Sequence, residues 1–206
     1  MTFKNIISLG YRVLYNAFFD QKFGSLLGGK IESQHEHLGS RHIENSDYLA
    51  LNQIFKGRIR TNDVLVDVGC GKGRVINWWL LNGYEDNLIF GLELEIEVFN
   101  QVVKRLADYP NVKLILGNAI ENLPAEGTCF YLYNPFEEFV MKQFAAWVKE
   151  YIPAEKDPTI LYYNCKYVKV FEEGSDWKVT LVDLDASPFF TFDKLAVIKY
   201  RTSSNR

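Results

Sequence analysis

The sequence predicts an α/β fold built on one doubly wound, mostly parallel sheet of seven strands. From residue 64 onward, short apolar runs alternate with segments that have helical spacing of their apolar residues. A glycine-rich turn at 69–73 directly follows the first apolar run. The last two β-rich segments, 177–184 and 194–200, have no helical segment between them, which indicates an antiparallel pair.

The first 47 residues differ from the rest. Residues 3–19 place apolar side chains at helical spacing, which predicts a helix packed on the main domain. Because Lys4, Arg12 and Lys22 lie nearby, contact of residues 1–20 with a membrane surface is the alternative. Residues 20–47 are polar and rich in glycine, so we expect a long loop that covers a bound ligand.

The chain thus divides into an N-terminal helix and covering loop, 1–47, and a domain, 48–206. Within the domain, 45–47 offer capping side chains to a helix that starts at Tyr48. The other predicted helices are 75–82, 96–107 and 138–151. The predicted strands are 64–68, 88–93, 112–116, 129–133, 159–164, 177–184 and 194–200, the last two linked through Ser187-Pro188.

The composition argues against nucleic-acid-binding, disulfide-rich and membrane-spanning proteins. A net charge of −3 and a pI near 5.7 do not favour nucleic acid as a partner. The three cysteines are too few and too widely spaced for a metal site or a disulfide framework, which suits a reducing cytoplasm. No apolar run reaches the ~18 residues that span a bilayer, and no signal-peptide pattern is present, so we expect a cytoplasmic protein.

All three histidines, His35, His37 and His42, lie in the long loop. The pair His35-Glu36-His37 raises the question of a metal site. No carboxylate or cysteine set nearby completes a tetrahedral ligand group, so a solvated loop is the favoured interpretation and no metal is expected.

The glycine turn is the most informative stretch, because a strand, a glycine turn and a helix bring backbone close to a nucleotide-like ligand. A dinucleotide fingerprint, G-x-G-x-x-G, needs a third glycine at position 74, which is Arg74. A Walker A loop needs glycine at 66 and Ser or Thr at 73, and the chain has Val66 and Gly73. Neither pattern fits.

Asp67-Val68-Gly69-Cys70-Gly71-Lys72-Gly73 resembles the first motif, D/E-x-G-x-G-x-G, of the class I S-adenosylmethionine-dependent methyltransferases. Three further landmarks follow in that family's order: Gly91-Leu92-Glu93, Gly117-Asn118-Ala119 and Tyr133-Asn134-Pro135-Phe136. The closing antiparallel strands also match. The second triplet departs from the family, which usually has Gly-Asp-Ala, although the Asn118 oxygen can still accept a hydrogen bond.

The resemblance implies S-adenosyl-L-methionine as cofactor. Glu93 would accept the ribose hydroxyls, Asn118 would contact the adenine, and Tyr48 and Glu44 would lie in the segment that closes over the cofactor. The implied cofactor-binding residues are Asp67, Gly69, Gly71, Gly73, Glu93, Leu94, Asn118, Ala119, Asn134 and Tyr48.

The segment 133–136 resembles the Asn-Pro-Pro-Phe/Tyr signature of methyltransferases that act on planar nitrogens, with one proline instead of two. It also resembles a bacterial class I group with unassigned substrates and, more distantly, the Dot1-type histone-lysine methyltransferases. The resemblance implies catalytic roles for Asn134, which would orient the acceptor, and for Tyr133 and Phe136, which would shape its pocket. Nitrogen is favoured over oxygen as the acceptor atom.

Two other classes compete with this interpretation. An NAD-dependent oxidoreductase is disfavoured by Arg74, and a non-catalytic cofactor-binding module is disfavoured by the intact glycine turn and Glu93. The methyl acceptor stays open among small molecules, saccharides and proteins, and so does the oligomeric state.

Overall fold

The computed structural model describes residues 3–35, 37, 43–173, 176–184 and 194–201. Predictions that involve Glu36, His42 or the Ser187-Pro188 link lie outside these residues. The predicted fold class is confirmed: seven strands form one mixed sheet in the order β3-β2-β1-β4-β5-β7-β6. The strands are β1 (Leu65–Val68), β2 (Ile89–Glu93), β3 (Val112–Leu116), β4 (Cys129–Tyr133), β5 (Thr159–Tyr163), β6 (Trp177–Asp183) and β7 (Lys194–Tyr200).

The first five strands are parallel, and β7 runs antiparallel between β5 and β6. The helices are α1 (Phe3–Gln21), α2 (Tyr48–Phe55), α3 (Arg74–Leu81), α4 (Ile96–Arg105), α5 (Ala119–Asn122), α6 (Glu138–Tyr151) and α7 (Lys169–Glu172). Both α5 and α7 have four residues and were not predicted, because one helical turn carries too few residues to show a period.

The core has two halves, one on each face of the sheet. Side chains alternate along each strand, so Leu65 and Tyr131 pack with α2 and α3, while Val66 and Leu132 pack with α6. Strands covered on both faces are apolar throughout, which explains the continuous apolar runs of the sequence.

The N-terminal segment contains the helix and the long loop that the sequence predicts. The loop, 22–47, includes one bridge between Ile31 and Ile43 within its described residues. The expected capping of α2 is wrong: Asp47 holds the cap position without a side-chain capping bond. Its carboxylate instead accepts a hydrogen bond from Asn16 and pairs with Arg12, and so it ties α1 to the start of α2.

Among the described residues, no helix is both long and apolar enough to cross a membrane. The proposed division of the chain at residue 47 stays a prediction.

Candidate functional site

A cleft lies at the carboxyl ends of β1 to β4, where ligands bind in open α/β sheets. It brings together most of the site residues that the sequence predicts, one group from each strand end. The lining residues are Ile43, Glu44, Gly69, Leu92, Glu93, Leu94, Gly117, Asn118, Ala119, Tyr133, Pro135, Phe136 and Val140. Of these, Ile43 and Val140 lie outside every predicted motif. Leu92, Gly117 and Pro135 lie within the predicted motifs but were not predicted as binding or catalytic residues.

The three glycines of the turn have different tasks, although all have positive φ. Gly69 borders the cleft, where a Cβ would lie 3.1 Å from the Pro135 Cβ. At Gly71 a Cβ would lie 2.8 Å from the Ile43 Cγ2, and at Gly73 it would meet Val102 of α4 at 3.0 Å. Because these three residues lack a side chain, Pro135 at the cleft, Ile43 of the N-terminal segment and Val102 of α4 can each lie close to the backbone of the turn.

Glu93 fixes the glycine turn from the end of β2. Its Oε2 accepts the Gly71 N–H at 2.8 Å, and its Oε1 accepts the N–H groups of Leu94 and Glu95, each at 2.8 Å. Burial raises the pKa of Glu93, against the lowering effect of these three bonds. Because a carboxylate has about four acceptor positions, one is left for a ligand hydroxyl rather than the two that the resemblance implied.

Asp67 lies beneath the turn, 2% exposed. Its Oδ2 is buried and has no hydrogen-bond partner within the described parts of the chain. Burial raises the pKa of Asp67 well above its usual value, and the neighbouring Glu93 adds to this rise. A buried carboxylate oxygen without a hydrogen-bond partner is costly, so the residue suits a site where a bound cationic or hydrogen-bonding group supplies that partner.

The end of β3 contributes Asn118 and Ala119. The Asn118 Oδ1 accepts the Ile120 N–H at 3.0 Å and caps α5, and its Nδ2 donates to Glu121. The oxygen keeps a second acceptor position for the predicted adenine contact. Both residues line the cleft.

The end of β4 contributes two aromatic walls. Phe136 is 8% exposed, and the ring of Tyr133 stacks on that of Tyr163 with the centroids 5.0 Å apart. Burial raises the pKa of the Tyr133 hydroxyl, and the Glu44 carboxylate nearby raises it further. Tyr133 is therefore a neutral hydrogen-bonding group at neutral pH.

Asn134 does not line the cleft, although its neighbours on both sides do. Its side chain is 5% exposed, its backbone has φ +43°, and its Oδ1 accepts a hydrogen bond from the Tyr162 hydroxyl at 2.8 Å. This geometry makes Asn134 a residue that shapes the turn between Tyr133 and Pro135.

Tyr48 also lies away from the cleft. Its ring packs against Phe19 and beneath the Arg74 guanidinium, and its hydroxyl accepts a hydrogen bond from Asn77 at 3.4 Å. The structure thus places Tyr48 in the core that holds α1. Glu44, in contrast, lines the cleft as the resemblance implied.

Lys72 and Arg74, the two cations of the glycine turn, both bind the N-terminal segment. The Lys72 Nζ donates to the carbonyls of Gly28 and Gly29 at 2.6 and 3.0 Å. The Arg74 guanidinium forms two hydrogen bonds, 3.0 and 2.7 Å, to the buried Asp20 carboxylate. The turn and the segment that precedes the sheet are therefore one connected structure.

Glu95 makes a second connection between the segment and the strand ends. Its Oε1 accepts hydrogen bonds from the Ser33 hydroxyl and the Gln34 N–H, and its Oε2 lies 3.7 Å from the His35 Nε2. The rings of His35 and His37 are 6.0 Å apart. Among the described residues, no cluster of three potential metal ligands is found.

The structure resembles solved methyltransferases. A methyltransferase from Pyrococcus furiosus aligns with 93% of this chain and 96% of its own, at a TM-score of 0.63 and 16% identity. The glycopeptide N-methyltransferase MtfA, crystallised with S-adenosyl-L-methionine, aligns with 75% of this chain and 94% of its own, at a TM-score of 0.60 and 13% identity.

An RNA methyltransferase from Salinibacter ruber, in complex with S-adenosyl-L-homocysteine, aligns with 77% of this chain and 94% of its own, at a TM-score of 0.56 and 16% identity. No protein-family model matches the sequence, and no curated protein matches it. These likenesses show that the chain has the Rossmann-like α/β methyltransferase fold.

Proposed function

We propose that the protein is an S-adenosyl-L-methionine-dependent methyltransferase, and that the cleft at the carboxyl ends of β1 to β4 holds the cofactor. One observation carries the proposal: Gly69, Glu93, Asn118 and Tyr133, far apart in the sequence, all line this cleft. The resemblance assigns contacts with the adenosyl ligand to Gly69, Glu93 and Asn118, and it assigns Tyr133 to the wall of the acceptor pocket. The fold shared with solved methyltransferases supports the same activity.

The charges of the cleft support this cofactor over a dinucleotide. Glu44 and Glu93 line it, and its described lining residues include no Lys or Arg. Lys72 and Arg74 are directed to the N-terminal segment instead. A negative cleft attracts a sulfonium or ammonium cation and repels the diphosphate of NAD.

The residues at the cleft would each contact a different part of the cofactor. Gly69 allows the cofactor to approach the backbone closely, and Glu93 would accept a hydrogen bond from a ribose hydroxyl at its remaining acceptor position. The Asp67 Oδ2 would accept a hydrogen bond from the amino-acid end of the cofactor. Bound in this way, the cofactor supplies an activated methyl group. The protein's task is to hold the acceptor in line with that group and to exclude water.

The β4 end is the proposed acceptor side. Tyr133 and Phe136 form aromatic walls, and Glu44 adds a carboxylate beside Tyr133. Aromatic rings with a carboxylate suit an amine, which enters as a cation and must lose a proton before it attacks. This arrangement supports nitrogen as the acceptor atom, and Asn134 is proposed to position the turn that presents these groups.

Ligand binding tests the proposal directly. S-adenosylhomocysteine at about one hundred times its Kd should raise the Tm by roughly 5–10 °C, because a ligand that binds only the folded state stabilises it by about 2.7 kcal/mol. NAD at the same concentration should leave the Tm unchanged. A shift with NAD, or with neither ligand, would contradict the proposal.

A variant pair places the binding in this cleft. Glu93→Ala should lower the S-adenosylhomocysteine affinity at least tenfold, whereas Glu97→Ala, an exposed carboxylate on the first turn of α4, should leave it unchanged. Transfer of a labelled methyl group from S-adenosylmethionine to a panel of amines, hydroxyls and peptides then identifies the acceptor. Cofactor binding with no transfer to any acceptor would favour a non-catalytic module.

A further inference from the structure

The outward side of α1 is apolar. Ile7, Tyr11, Leu14 and Phe18 follow one another at i, i+4, i+7 and i+11, and their exposed fractions are 58%, 49%, 72% and 63%. We call these four residues the outer face of α1. They form a continuous stripe along a helix of about 28 Å. Large exposed apolar stripes of this kind mark interaction surfaces.

The opposite side of α1 is polar and fixes the helix in this orientation. Asn16 donates a hydrogen bond to the Asp47 carboxylate, and its Oδ1 accepts the Tyr48 N–H at 3.0 Å. Asp20, 1% exposed, forms the ion pair with Arg74 at 2.7 Å. Turning the outer face inward would break this buried pair, so the exposure of the apolar side is built into the fold.

The residues around the outer face have more basic than acidic side chains. Between residues 3 and 30 the sequence has four basic residues, Lys4, Arg12, Lys22 and Lys30, and one acidic residue, Asp20, whose charge is neutralised by Arg74. Arg12 pairs with Asp47 and Lys30 with Glu32, whereas the exposed Lys22 lies beside the outer face. The Lys22 Nζ lies 5.3 Å from the ring centroid of Phe18, beside the outer face. Its aliphatic stem thus follows apolar surface while its ammonium group reaches solvent.

We propose that α1 docks in the plane of an anionic membrane surface, with its outer face in the boundary between headgroups and acyl chains. Lys4 and Lys22 flank this apolar stripe in the sequence, and α1 has no exposed carboxylate, so the helix matches such a surface in both polarity and charge. A second copy of the chain fits less well, since a symmetric contact between two copies of α1 would bring no exposed carboxylate to Lys22.

A second cleft lies between the polar side of α1 and the candidate site. Asn16 and Asp20 line it together with Glu44, which also lines the candidate site. The outer face is directed away from this cleft, so docking would leave it open. The proposal does not depend on the methyl-transfer activity, because its test measures binding alone.

Sedimentation with vesicles tests it. The full chain should sediment with vesicles of phosphatidylglycerol and phosphatidylcholine, several-fold less with phosphatidylcholine alone, and less again as salt is raised. The double variant Leu14→Glu/Phe18→Glu should lose at least tenfold in vesicle affinity. Phe139→Glu, at a 55% exposed apolar position on α6, should bind as the unaltered chain does.

Thermal unfolding of the variants serves as the folding control, and their Tm should match that of the unaltered chain because both side chains are mostly exposed. Absence of sedimentation, or equal binding by the double variant, would overturn the proposal. So would a dimer in sedimentation equilibrium that Leu14→Glu/Phe18→Glu dissociates, because the outer face would then belong to a second copy.

Discussion

The turns that follow the neighbouring strands β1 and β4 border the same cleft but are shaped by different means. After β1 the backbone takes positive φ at three glycines, and three charged side chains, Glu93, Lys72 and Arg74, tie it to other elements. After β4 a non-glycine residue, Asn134, has positive φ, and its side chain accepts one buried hydrogen bond. Charged side chains from several elements therefore hold the first turn, whereas a buried tyrosine hydroxyl of β5 supports the second.

The ion pair that ties the β1 turn to α1 should give the largest effect. Asp20→Ala leaves the Arg74 guanidinium buried without its partner, which should lower the free energy of unfolding by about 3–5 kcal/mol. Urea denaturation measures this change. The exposed Glu138–Lys142 pair provides the control, and Lys142→Ala should have no measurable effect. Equal effects of the two variants would mean that the β1 turn is not held by this pair.

Gly69→Ala separates the binding role of the β1 turn from its backbone strain. Alanine at φ +78° should lower the free energy of unfolding by about 1–2 kcal/mol, and its Cβ would intrude on Pro135 at the cleft. Gly83→Ala introduces similar strain, at φ +87°, with open space around the Cβ. Only Gly69→Ala should weaken S-adenosylhomocysteine binding, at least tenfold by calorimetry. If the two variants bind equally, Gly69 does not border the cofactor.

The sheet could be predicted from the sequence because each strand is marked by residues that are adjacent in the chain. Apolar runs covered on both faces identify the central strands, and the predicted bounds of β4 and α6 match the structure residue for residue. The cleft could be predicted because ligands bind at the carboxyl ends of parallel strands, and motifs mark those ends.

The connections of the N-terminal segment could not be predicted. Asp20 and Arg74 are 54 positions apart, and nothing local to either residue identifies the other as its partner. The close approach of Ile43 to Gly71 is likewise a contact between distant residues that neither residue's neighbours reveal. The Tyr48 side chain, which the resemblance implied would lie at the cofactor, packs in the core through contacts of this kind. Long-range pairs depend on how a loop folds back, which periodicity does not encode.

Tyr162→Phe tests the support that β5 gives to the β4 turn. The change removes the hydroxyl that donates to the Asn134 Oδ1 and accepts the Tyr167 N–H, so the turn should lose its fixed shape and turnover should fall about three- to tenfold. Affinity for S-adenosylhomocysteine should stay the same, since the β1 turn is untouched. Tyr200→Phe, which removes hydroxyl bonds to the Val148 and Ile152 carbonyls, is the matched control and should retain full turnover. Equal turnover in both variants would show that Asn134 needs no such support.

Asp67→Asn should give the smallest effect and is the sharpest test of the β1 side. Its folded pKa is raised by burial, so the folded state binds a proton more readily than the unfolded chain does. Below the unfolded pKa of about 3.9 both states are protonated and Asp67 has no cost. As pH rises through the raised folded pKa, the buried charge destabilises the protein.

Asp67→Asn should therefore increase the free energy of unfolding by about 1 kcal/mol at neutral pH, with the difference vanishing toward pH 4. Urea denaturation across this pH range measures it. The same variant should bind S-adenosylmethionine more weakly, because the unpartnered Oδ2 is the oxygen offered to the ligand. A variant that is both less stable at neutral pH and unimpaired in binding would assign Asp67 to the structure of the turn and remove it from the cofactor site.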